Sequence, residues 1–379
     1  MPGPLTGIRI LEFAAIGPGP FCAMLLADMG ADILRIDRPA PALAPADISA
    51  RGRASLALDL KDPSAIATCL GIIAHVDVLI EGFRPGVMER LGLGPDAALT
   101  INPRLIYGRM TGWGQSGPRA HTAGHDINYI ALSGALDAIG DAAAPVPPLN
   151  LVGDYGGGSL YLAMGIAAAL YERTISGQGQ VIDAAIIDGA ASLMSVFHNP
   201  AAFGLASATR GAHMLSGSAP FYGVYRCVDG NFISVGAIEP QFYALFLRIL
   251  GLAPDALGGQ HHRPDWPASR ARLAALFATR TRDEWAALFA GTDACVAPVL
   301  TLAEAAADRH IQARETLVPE AGYSRPAPAP RFSRSQSEAK TGYAKTDEGG
   351  AALLARWGIA TGPDAANISA APSGSPHPA

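Results

Sequence analysis

Two short segments of this chain place a titratable side chain beside glycine at the expected start of a helix. The first reads Gly-His-Asp-Ile-Asn-Tyr at 124–129, and the second reads Gly-Asp-Tyr-Gly-Gly-Gly at 153–158. His125 and Asp154 thus offer an imidazole and a carboxylate, two side chains that act as general bases in enzymes. If they face each other across one substrate carbon, one can remove a proton and the other can return it. The pair therefore predicts an enzyme that moves a proton off carbon and back.

Each residue also has a simpler interpretation. A loop histidine such as His125 is often only solvated, and Asp154 would be a good N-cap for a helix over 155–174. Three glycines follow closely after Asp154, and each costs a helix about 1 kcal/mol relative to alanine. Capping does not explain that cost. We therefore predict that the glycines leave room for a substrate against the helix N-terminus, where free N–H groups favour negative charge.

Composition indicates a folded protein with a substantial core. The chain has 379 residues, of which 49% are hydrophobic and 16% are charged, and this length suits one large domain or two modest ones. The net charge of −5 argues against nucleic-acid binding as the main activity. No partner nucleic acid is therefore expected.

The cysteines and the apolar segments predict a cytoplasmic protein. The four cysteines lie far apart without a Cys-x-x-Cys pair, which suits free thiols in a reducing compartment; they are Cys22, Cys69, Cys227 and Cys295. The N-terminal residues lack the pattern of a signal peptide. The most apolar stretch, 160–170, is too short to cross a bilayer, so no membrane association is expected.

Strands and helices alternate through the first half of the chain. Strands are predicted at 8–13, 31–37, 76–80 and 105–110, with helices between them and further helices after Asp154 and after about residue 182. Such alternation requires crossover connections, and it predicts an α/β fold with a Rossmann-like, doubly wound, mainly parallel sheet.

The second half predicts a smaller α+β domain. It contains a strand pair at 226–228 and 232–235, followed by helices at 241–250, 270–279 and 283–290. We therefore expect a large domain over 1–200, a linker at 201–220 and a small domain over 221–325. Residues 326–360 complete the large domain, and the tail at 361–379 is predicted to be disordered.

Basic residues near the predicted strand ends favour a phosphorylated ligand. Gly17-Pro18-Gly19-Pro20 is not a dinucleotide-binding glycine motif, and Arg38 directly follows the acidic Asp37. The bases at strand ends and turns are Arg38, Arg51, Arg53, Lys61, Arg84 and Arg90. Guanidinium groups suit phosphate oxygens, so a nucleotide-bearing acyl carrier fits this pattern. Ordinary surface bases would give the same pattern. No metal site is expected, because Gly124 interrupts the helical spacing of His121 and His125.

Taken together, the motifs resemble the α-methylacyl-CoA racemases of the class III CoA-transferase family, over about residues 4–335. The matching segments are Ile-Gly-Pro-Gly-Pro at 16–20, Ala-Asp-Ile-Leu-Arg-Ile-Asp-Arg at 31–38, Glu-Gly-Phe-Arg-Pro-Gly at 81–86, Arg-Met-Thr-Gly-Trp-Gly-Gln at 109–115, the segment at 124–129, and Gly-Ala-Ile-Glu-Pro-Gln at 236–241. The last two segments point to the racemase branch.

The resemblance implies an interlocked homodimer whose active site joins the large CoA-binding domain of one subunit to the small domain of its partner. It carries over His125 and Asp154 as the two bases and Glu239, from the partner subunit, as the carboxylate that orients the histidine. Asp126 is grouped with these catalytic residues. The residues implied to bind CoA are Arg38, Lys61, Arg84, Arg90 and Tyr129. No metal, flavin or nicotinamide is implied.

Three functions remain open at this stage. The first is racemisation of 2-methylacyl-CoA thioesters by two-base proton transfer through an enolate, which His125 together with Glu239 favours. The second is CoA transfer, in which Asp154 attacks the thioester as a nucleophile. The third is acyl-CoA binding without catalysis. The acyl group is not specified, so branched fatty, sterol side-chain and aryl-propionyl groups all remain possible.

Overall fold

The computed structural model describes residues 2–39, 48–199, 210–320, 322–339 and 345–359. The described residues divide into two compact units. The first unit lies within Met1–Ser133, Leu149–Leu193 and Val318–Ala379, and the second within Gly134–Pro148 and Met194–Leu317. The domain limits predicted from sequence remain predictions, and residues 201–209 of the predicted linker and the predicted tail, 361–379, lie outside the described residues.

A six-stranded parallel sheet organises the first unit, and the prediction of a mainly parallel sheet is confirmed. Its strands are β1 (Arg9–Phe13), β2 (Asp32–Asp37), β3 (Arg53–Ala57), β4 (Val78–Glu81), β5 (Ile106–Thr111) and β6 (Gln180–Ala185). They are ordered β3-β2-β1-β4-β5-β6, and every pair of neighbours is parallel. This order reverses direction between β1 and β4, which is where doubly wound folds bind their ligands.

The helices of the described residues are, in chain order, α1 (Pro18–Asp28), α2 (Pro63–Ile73), α3 (Val87–Arg90), α4 (Pro95–Ile101), α5 (Asp126–Leu132), α6 (Ala135–Ala138), α7 (Leu160–Ser176), α8 (Ile186–Leu193), α9 (Pro240–Ile249), α10 (Trp266–Phe277), α11 (Arg282–Phe289), α12 (Leu302–Ala307), α13 (Arg309–Ala313) and α14 (Gly350–Trp357). Local chemistry sets several of their ends. At α2, Asp62 accepts a hydrogen bond from the Ser64 N–H, and Pro63 occupies the first helical position.

The sheet is buried on both faces by two separate cores. Ile10 of β1 belongs to a cluster with Leu26 of α1 and Ile166 of α7. The next residue, Leu11, belongs to a second cluster with Ile72 of α2 and Leu354 of α14. Because side chains alternate along a strand, consecutive apolar residues supply both cores, and this explains the continuous apolar runs of the central strands.

Two edge strands and one helix start differ from the sequence-based predictions. Strands β3 and β6 were not predicted, and the helix expected after about residue 182 begins at Ile186. Both strands lie at an edge of the sheet and contain polar residues, so neither has the apolar run of a central strand.

The helix predicted to begin after Asp154 starts earlier, as a π-helix over Leu151–Ser159 that continues into α7. Its N-cap residue is Asn150. The simpler interpretation of Asp154, as the cap of this helix, is therefore excluded, and Asp154 lies within the first turn.

The second unit contains an antiparallel sheet of β7 (Tyr222–Arg226), β8 (Phe232–Gly236) and β9 (Val296–Val299). The predicted strand pair is confirmed, with its first strand four residues earlier than expected. Aromatic side chains dominate the core of this unit, and among them Phe277 and Trp285 have ring centroids 5.0 Å apart. Strands β10 (Leu317–Glu320) and β11 (Tyr323–Pro326) form a separate two-stranded sheet. Within the described residues, no helix has the length and apolar character needed to cross a membrane.

Candidate active site

A cleft of about 340 Å³ opens in the first unit at the carboxyl ends of β1, β4 and β5. Its walls come from the segments that follow these strands, namely residues 15–19, 82–85 and 110–113, together with 122–126 and Asp154. The cleft therefore lies where the strand order reverses, and the sheet topology explains its position.

Asp154 is held in the cleft by contacts to its backbone rather than to its carboxylate. Its N–H donates a hydrogen bond of 2.7 Å to Oδ1 of Asp126. No donor among the described residues reaches the carboxylate oxygens of Asp154. Burial and the nearby negative charge of Asp126 raise the pKa of Asp154 to about 6, and the positive charge of His125 opposes the shift. Asp154 can therefore gain or lose a proton near neutral pH.

Gly17 provides the space that the Asp154 carboxylate occupies. A Cβ atom at Gly17 would lie 3.1 Å from Oδ2 of Asp154, and the backbone at Gly17 has a φ of 76°. Both the close approach and the left-handed conformation favour glycine. The glycine turn after β1 thus brings its backbone against the Asp154 carboxylate.

His125 is the N-cap residue of α5 and lines the same cleft. Its backbone N–H donates a hydrogen bond of 3.0 Å to Oδ1 of Asn128. The side chain is exposed, as a group that exchanges protons with a bound ligand must be before binding. The structure therefore brings His125 and Asp154 into one cleft. They are distant in the chain, since Asp126, the residue after His125, is 28 positions from Asp154.

Asp126 connects the segment that carries His125 to the segment that carries Asp154. Besides accepting the Asp154 N–H, its Oδ1 would lie 2.2 Å from a Cβ atom at Gly153. Glycine at 153 therefore allows the carboxylate to approach the backbone. In this arrangement Asp126 acts on Asp154 through a hydrogen bond and through its charge.

The glycines after Asp154 serve helix packing, so the prediction that they clear space for a substrate is wrong. A Cβ atom at Gly157 would lie 2.7 Å from the backbone nitrogen of Ala190 and 2.9 Å from the carbonyl oxygen of Ile186. Gly158 is equally enclosed, with Pro18 and Met110 within 3.3 Å of its Cβ position. These glycines let the π-helix pack directly against α8.

Of the basic residues predicted to bind phosphate, Arg84 lines the cleft, whereas Arg38, Lys61 and Arg90 are exposed outside its lining. The structure also places Tyr129 in the lining.

Arg51 and Arg53 belong to buried ion pairs, so their inclusion among the phosphate-binding candidates is wrong. Arg51 pairs with Asp28, and Nε of Arg53 lies 2.8 Å from Oε2 of Glu12. The side chains of Arg53 and Glu12 are 0% and 1% exposed. Both guanidinium groups are thus paired with a buried carboxylate in the first unit.

A second buried network supports the wall that contains Arg84, and the sequence analysis missed it. Nε of Arg109 donates to Oε1 of Glu81 at 2.9 Å, and its Nη1 donates to Oε1 of Glu89 at 2.8 Å. The other oxygen of Glu81 accepts the Phe83 N–H at 2.7 Å. Glu81 and Arg109 are register partners on β4 and β5, so only the strand pairing reveals this network.

Glu239 lies in the second unit as the N-cap residue of α9, three residues after the end of β8, and it is exposed. The segment before it is fixed by Gln260, whose amide donates to the carbonyl oxygen of Ile238 at 2.7 Å. Within the part of the chain that the structure describes, no group of three histidine, cysteine or acidic side chains is arranged to hold a metal ion.

Comparison with known proteins decides the family. A sequence profile described as CoA-transferase family III matches residues 5–347. The chain belongs to CoA-transferase family III. The resemblance inferred from the motifs is thereby confirmed.

Among its relatives, the chain is similar to the α-methylacyl-CoA racemase of mouse, with 48% identity over 333 residues that cover 87% of each chain. It is also 48% identical to the human α-methylacyl-CoA racemase over 330 residues, 86% of each chain. The chain is also similar to the succinyl-CoA–D-citramalate CoA-transferase of Chloroflexus aurantiacus, which is 30% identical and aligns over 84% of this chain and 83% of its own.

A solved structure of this family supports the fold. The crystal structure of a CAIB/BAIF family protein from Brucella suis superposes with a TM-score of 0.81 and 25% identity. It covers 94% of this chain and 100% of that protein.

Proposed function

We propose that this protein is a racemase that interconverts the two configurations at C2 of 2-methylacyl-CoA thioesters. The observation that carries the proposal is the presence of two bases of different type, His125 and Asp154, in one cleft. The similarity to the mouse α-methylacyl-CoA racemase, at 48% identity, supports this activity over others in the family.

In the proposed cycle, one residue removes the proton at C2 and the other residue adds a proton to C2 from the opposite side. In one direction the neutral imidazole of His125 takes the α-proton, and the carboxylic acid of Asp154 donates its proton to the opposite face of the enolate. In the other direction the Asp154 carboxylate takes the α-proton and the imidazolium of His125 donates. A carboxyl group with a pKa of about 6 is suited to both roles near neutral pH. The cycle requires no metal or organic cofactor.

The enolate oxygen needs hydrogen-bond donors that are already in position. The first N–H groups of a helix lack partners within the helix, and α5 begins directly after His125. We assign the stabilisation of the enolate to these backbone donors. Proton abstraction by a side chain contributes about 10² to 10⁴-fold, so the donors must supply much of the remaining rate.

The CoA thioester is proposed to bind with its α-carbon between the two bases. Arg84 and Tyr129 line the cleft, and the exposed Arg38, Lys61 and Arg90 are proposed to contact the CoA phosphates. As the family resemblance implies, we propose an interlocked homodimer in which Glu239 of the partner subunit orients His125. A cytoplasmic location is proposed separately, from the spacing of the cysteines and the apolar segments of the sequence.

A CoA-transferase is the second candidate, because relatives at 30% identity have that activity in their names. In that reaction the Asp154 carboxylate would attack the thioester carbonyl carbon, form an acyl anhydride and release CoA as the thiolate. The thiolate would then attack the aspartyl carbonyl carbon of the anhydride, which releases the first acid and leaves CoA as a thioester on Asp154, and a second acid would take up that CoA by the reverse sequence. This reaction uses Asp154 alone and has no role for a base at His125.

Incubation of a single epimer of a 2-methylacyl-CoA in D₂O separates these functions. The racemase is expected to incorporate deuterium at C2 and to produce the other epimer. His125→Ala and Asp154→Asn should each abolish epimer formation, whereas Asp96→Asn, which removes an exposed carboxylate of α4, should retain it. Transfer of CoA to a free acid without deuterium at C2 would identify a transferase, and ligand binding without either reaction would identify a binding protein.

A further inference from the structure

Tyr129 lines the cleft and was expected to bind CoA, but its hydroxyl group contacts the backbone beside His125. It follows His125 by one turn of α5 and is 9% exposed. Its hydroxyl group donates a hydrogen bond to the carbonyl oxygen of Gly124, the residue directly before His125. A phenol has one proton to donate, so this donor is already used and is not available for CoA.

The position of the Tyr129 ring is fixed by the walls around it. A Cβ atom at Gly112 would lie 1.9 Å from Cζ of Tyr129, and a Cβ atom at Gly124 would lie 2.7 Å from its Cε1. The ring also meets the Trp113 ring edge-on, with centroids 4.7 Å apart. Two glycines and one indole therefore enclose the ring, and the hydroxyl group has little freedom to leave the Gly124 carbonyl.

These two contacts attach the peptide group that precedes the His125 side chain to α5. The Gly124 carbonyl accepts from Tyr129, and the His125 N–H donates to Asn128. Burial and the charge of Asp154 raise the pKa of the Tyr129 phenol, so it stays protonated and keeps donating at neutral pH. The backbone at His125 is thus fixed by residues three and four positions further along the chain.

We infer that Tyr129 is a positioning residue for His125, whose hydroxyl group and enclosed ring set the direction of the imidazole toward the substrate carbon. The inference rests on the proposed function and replaces the expected role of Tyr129 in CoA binding. Misplacing a reacting group by about 1 Å costs up to about 100-fold in rate, so a lost tether at Gly124 should be measurable.

The test measures proton exchange at C2 for each of the two epimers separately. Each pure epimer is incubated in D₂O with the full-length protein, and deuterium at C2 is measured at early times. His125→Ala identifies the epimer whose proton His125 removes, and Asp154→Asn identifies the other. Tyr129→Phe should slow exchange of the His125-dependent epimer by about tenfold, change exchange of the other epimer by less than about twofold, and leave KM unchanged.

A matched control is available in Tyr107→Phe. Tyr107 is a buried tyrosine of β5 whose hydroxyl group donates to the carbonyl oxygen of Leu93 at 2.9 Å, so this variant also loses one buried phenol–carbonyl hydrogen bond. This variant should lower the free energy of unfolding without changing the ratio of the exchange rates of the two epimers. Gly112→Ala is the second variant, because the added methyl group displaces the Tyr129 ring while the hydroxyl group is kept. Like Tyr129→Phe, it should slow exchange of the His125-dependent epimer more than exchange of the other.

Each other outcome contradicts the inference in a distinct way. A higher KM with unchanged kcat in Tyr129→Phe would show that Tyr129 contacts CoA. If Tyr129→Phe slows exchange of both epimers equally and lowers the free energy of unfolding as Tyr107→Phe does, Tyr129 has a structural role only. Absence of exchange in the unmodified protein would overturn the proposed function itself, and the inference with it.

Discussion

At the scale of single residues, the cleft combines a carboxyl group that is easily protonated with an exposed imidazole. The pKa of Asp154 is raised to about 6 by burial and then by Asp126, whose own Oδ1 accepts the Asp154 N–H. At pH 7 such a group retains about a tenth of its protons, whereas a carboxyl with an ordinary pKa near 4 retains about a thousandth. The neighbouring aspartate therefore prepares Asp154 to donate as well as to accept.

The raised pKa predicts a pH-dependent cost in stability. The folded-state pKa of Asp154, about 6, exceeds the ordinary value of 3.8, so folding favours the protonated form. Ionisation of Asp154 thus destabilises the fold as pH rises from about 4 to about 6, and the full cost is present above that range. Asp154→Asn should raise the free energy of unfolding at pH 8 by about 1 kcal/mol, allowing for solvent screening, and have little effect at pH 4.

Urea denaturation of both proteins at the two pH values measures this difference. Asp96→Asn is the control, since it changes an exposed aspartate in the same way and should give no such gain at pH 8. An equal effect of Asp154→Asn at pH 4 and pH 8 would contradict the prediction.

At the scale of elements, the site depends on how closely the π-helix over Leu151–Ser159 packs against α8. Gly157 meets the backbone of α8 directly, and a Cβ atom at Gly189 of α8 would in turn lie 1.9 Å from the carbonyl oxygen of Gly157. Glycines on both helices therefore bring the two backbones together. Asp154 lies in the same π-helix, so this contact also determines where its carboxylate points.

Gly157→Ala is expected to lower the free energy of unfolding by about 1 to 3 kcal/mol, because the new methyl group meets fixed backbone atoms of α8. Gly71→Ala in α2 is the matched control. A Cβ atom at Gly71 meets no other atom within 4 Å, so that change should stabilise the helix by about 0.5 to 1 kcal/mol. Thermal or urea unfolding measures both, and a neutral Gly157→Ala would show that the two helices can separate without cost.

At the scale of the whole molecule, the proposed active site needs residues from two subunits. His125 and Asp154 lie in the first unit, and Glu239 lies in the second. The proposed homodimer supplies Glu239 from the partner subunit. The oligomeric arrangement can therefore be tested through activity.

Co-expression of His125→Ala and Glu239→Gln chains provides that test. In a dimer with shared sites, half of the molecules are mixed and each mixed dimer has one intact site, so activity should recover to about one quarter of the unmodified level. Each variant expressed alone should be nearly inactive. If the co-expressed chains are no more active than either variant alone, all three residues act within one chain.

Much of the fold and the candidate pair were predictable from local sequence. Apolar runs marked β1, β2, β4 and β5, because strands buried on both faces need apolar residues at consecutive positions. The side-chain types at His125 and Asp154, each beside glycine, indicated acid–base chemistry before any geometry was known. The edge strands β3 and β6 lacked such a signal, since each has only one neighbouring strand in the sheet and contains polar residues.

By itself, the sequence determined which groups are available for chemistry and the class of fold that holds them. Only the tertiary structure decided which of those groups are free to act. Arg53 is paired with Glu12, which is 41 positions away, and Gly157 packs against Ala190 rather than beside a substrate. Both contacts join segments distant in the chain, and their energies depend on backbone approach and burial, which no local pattern of residues encodes.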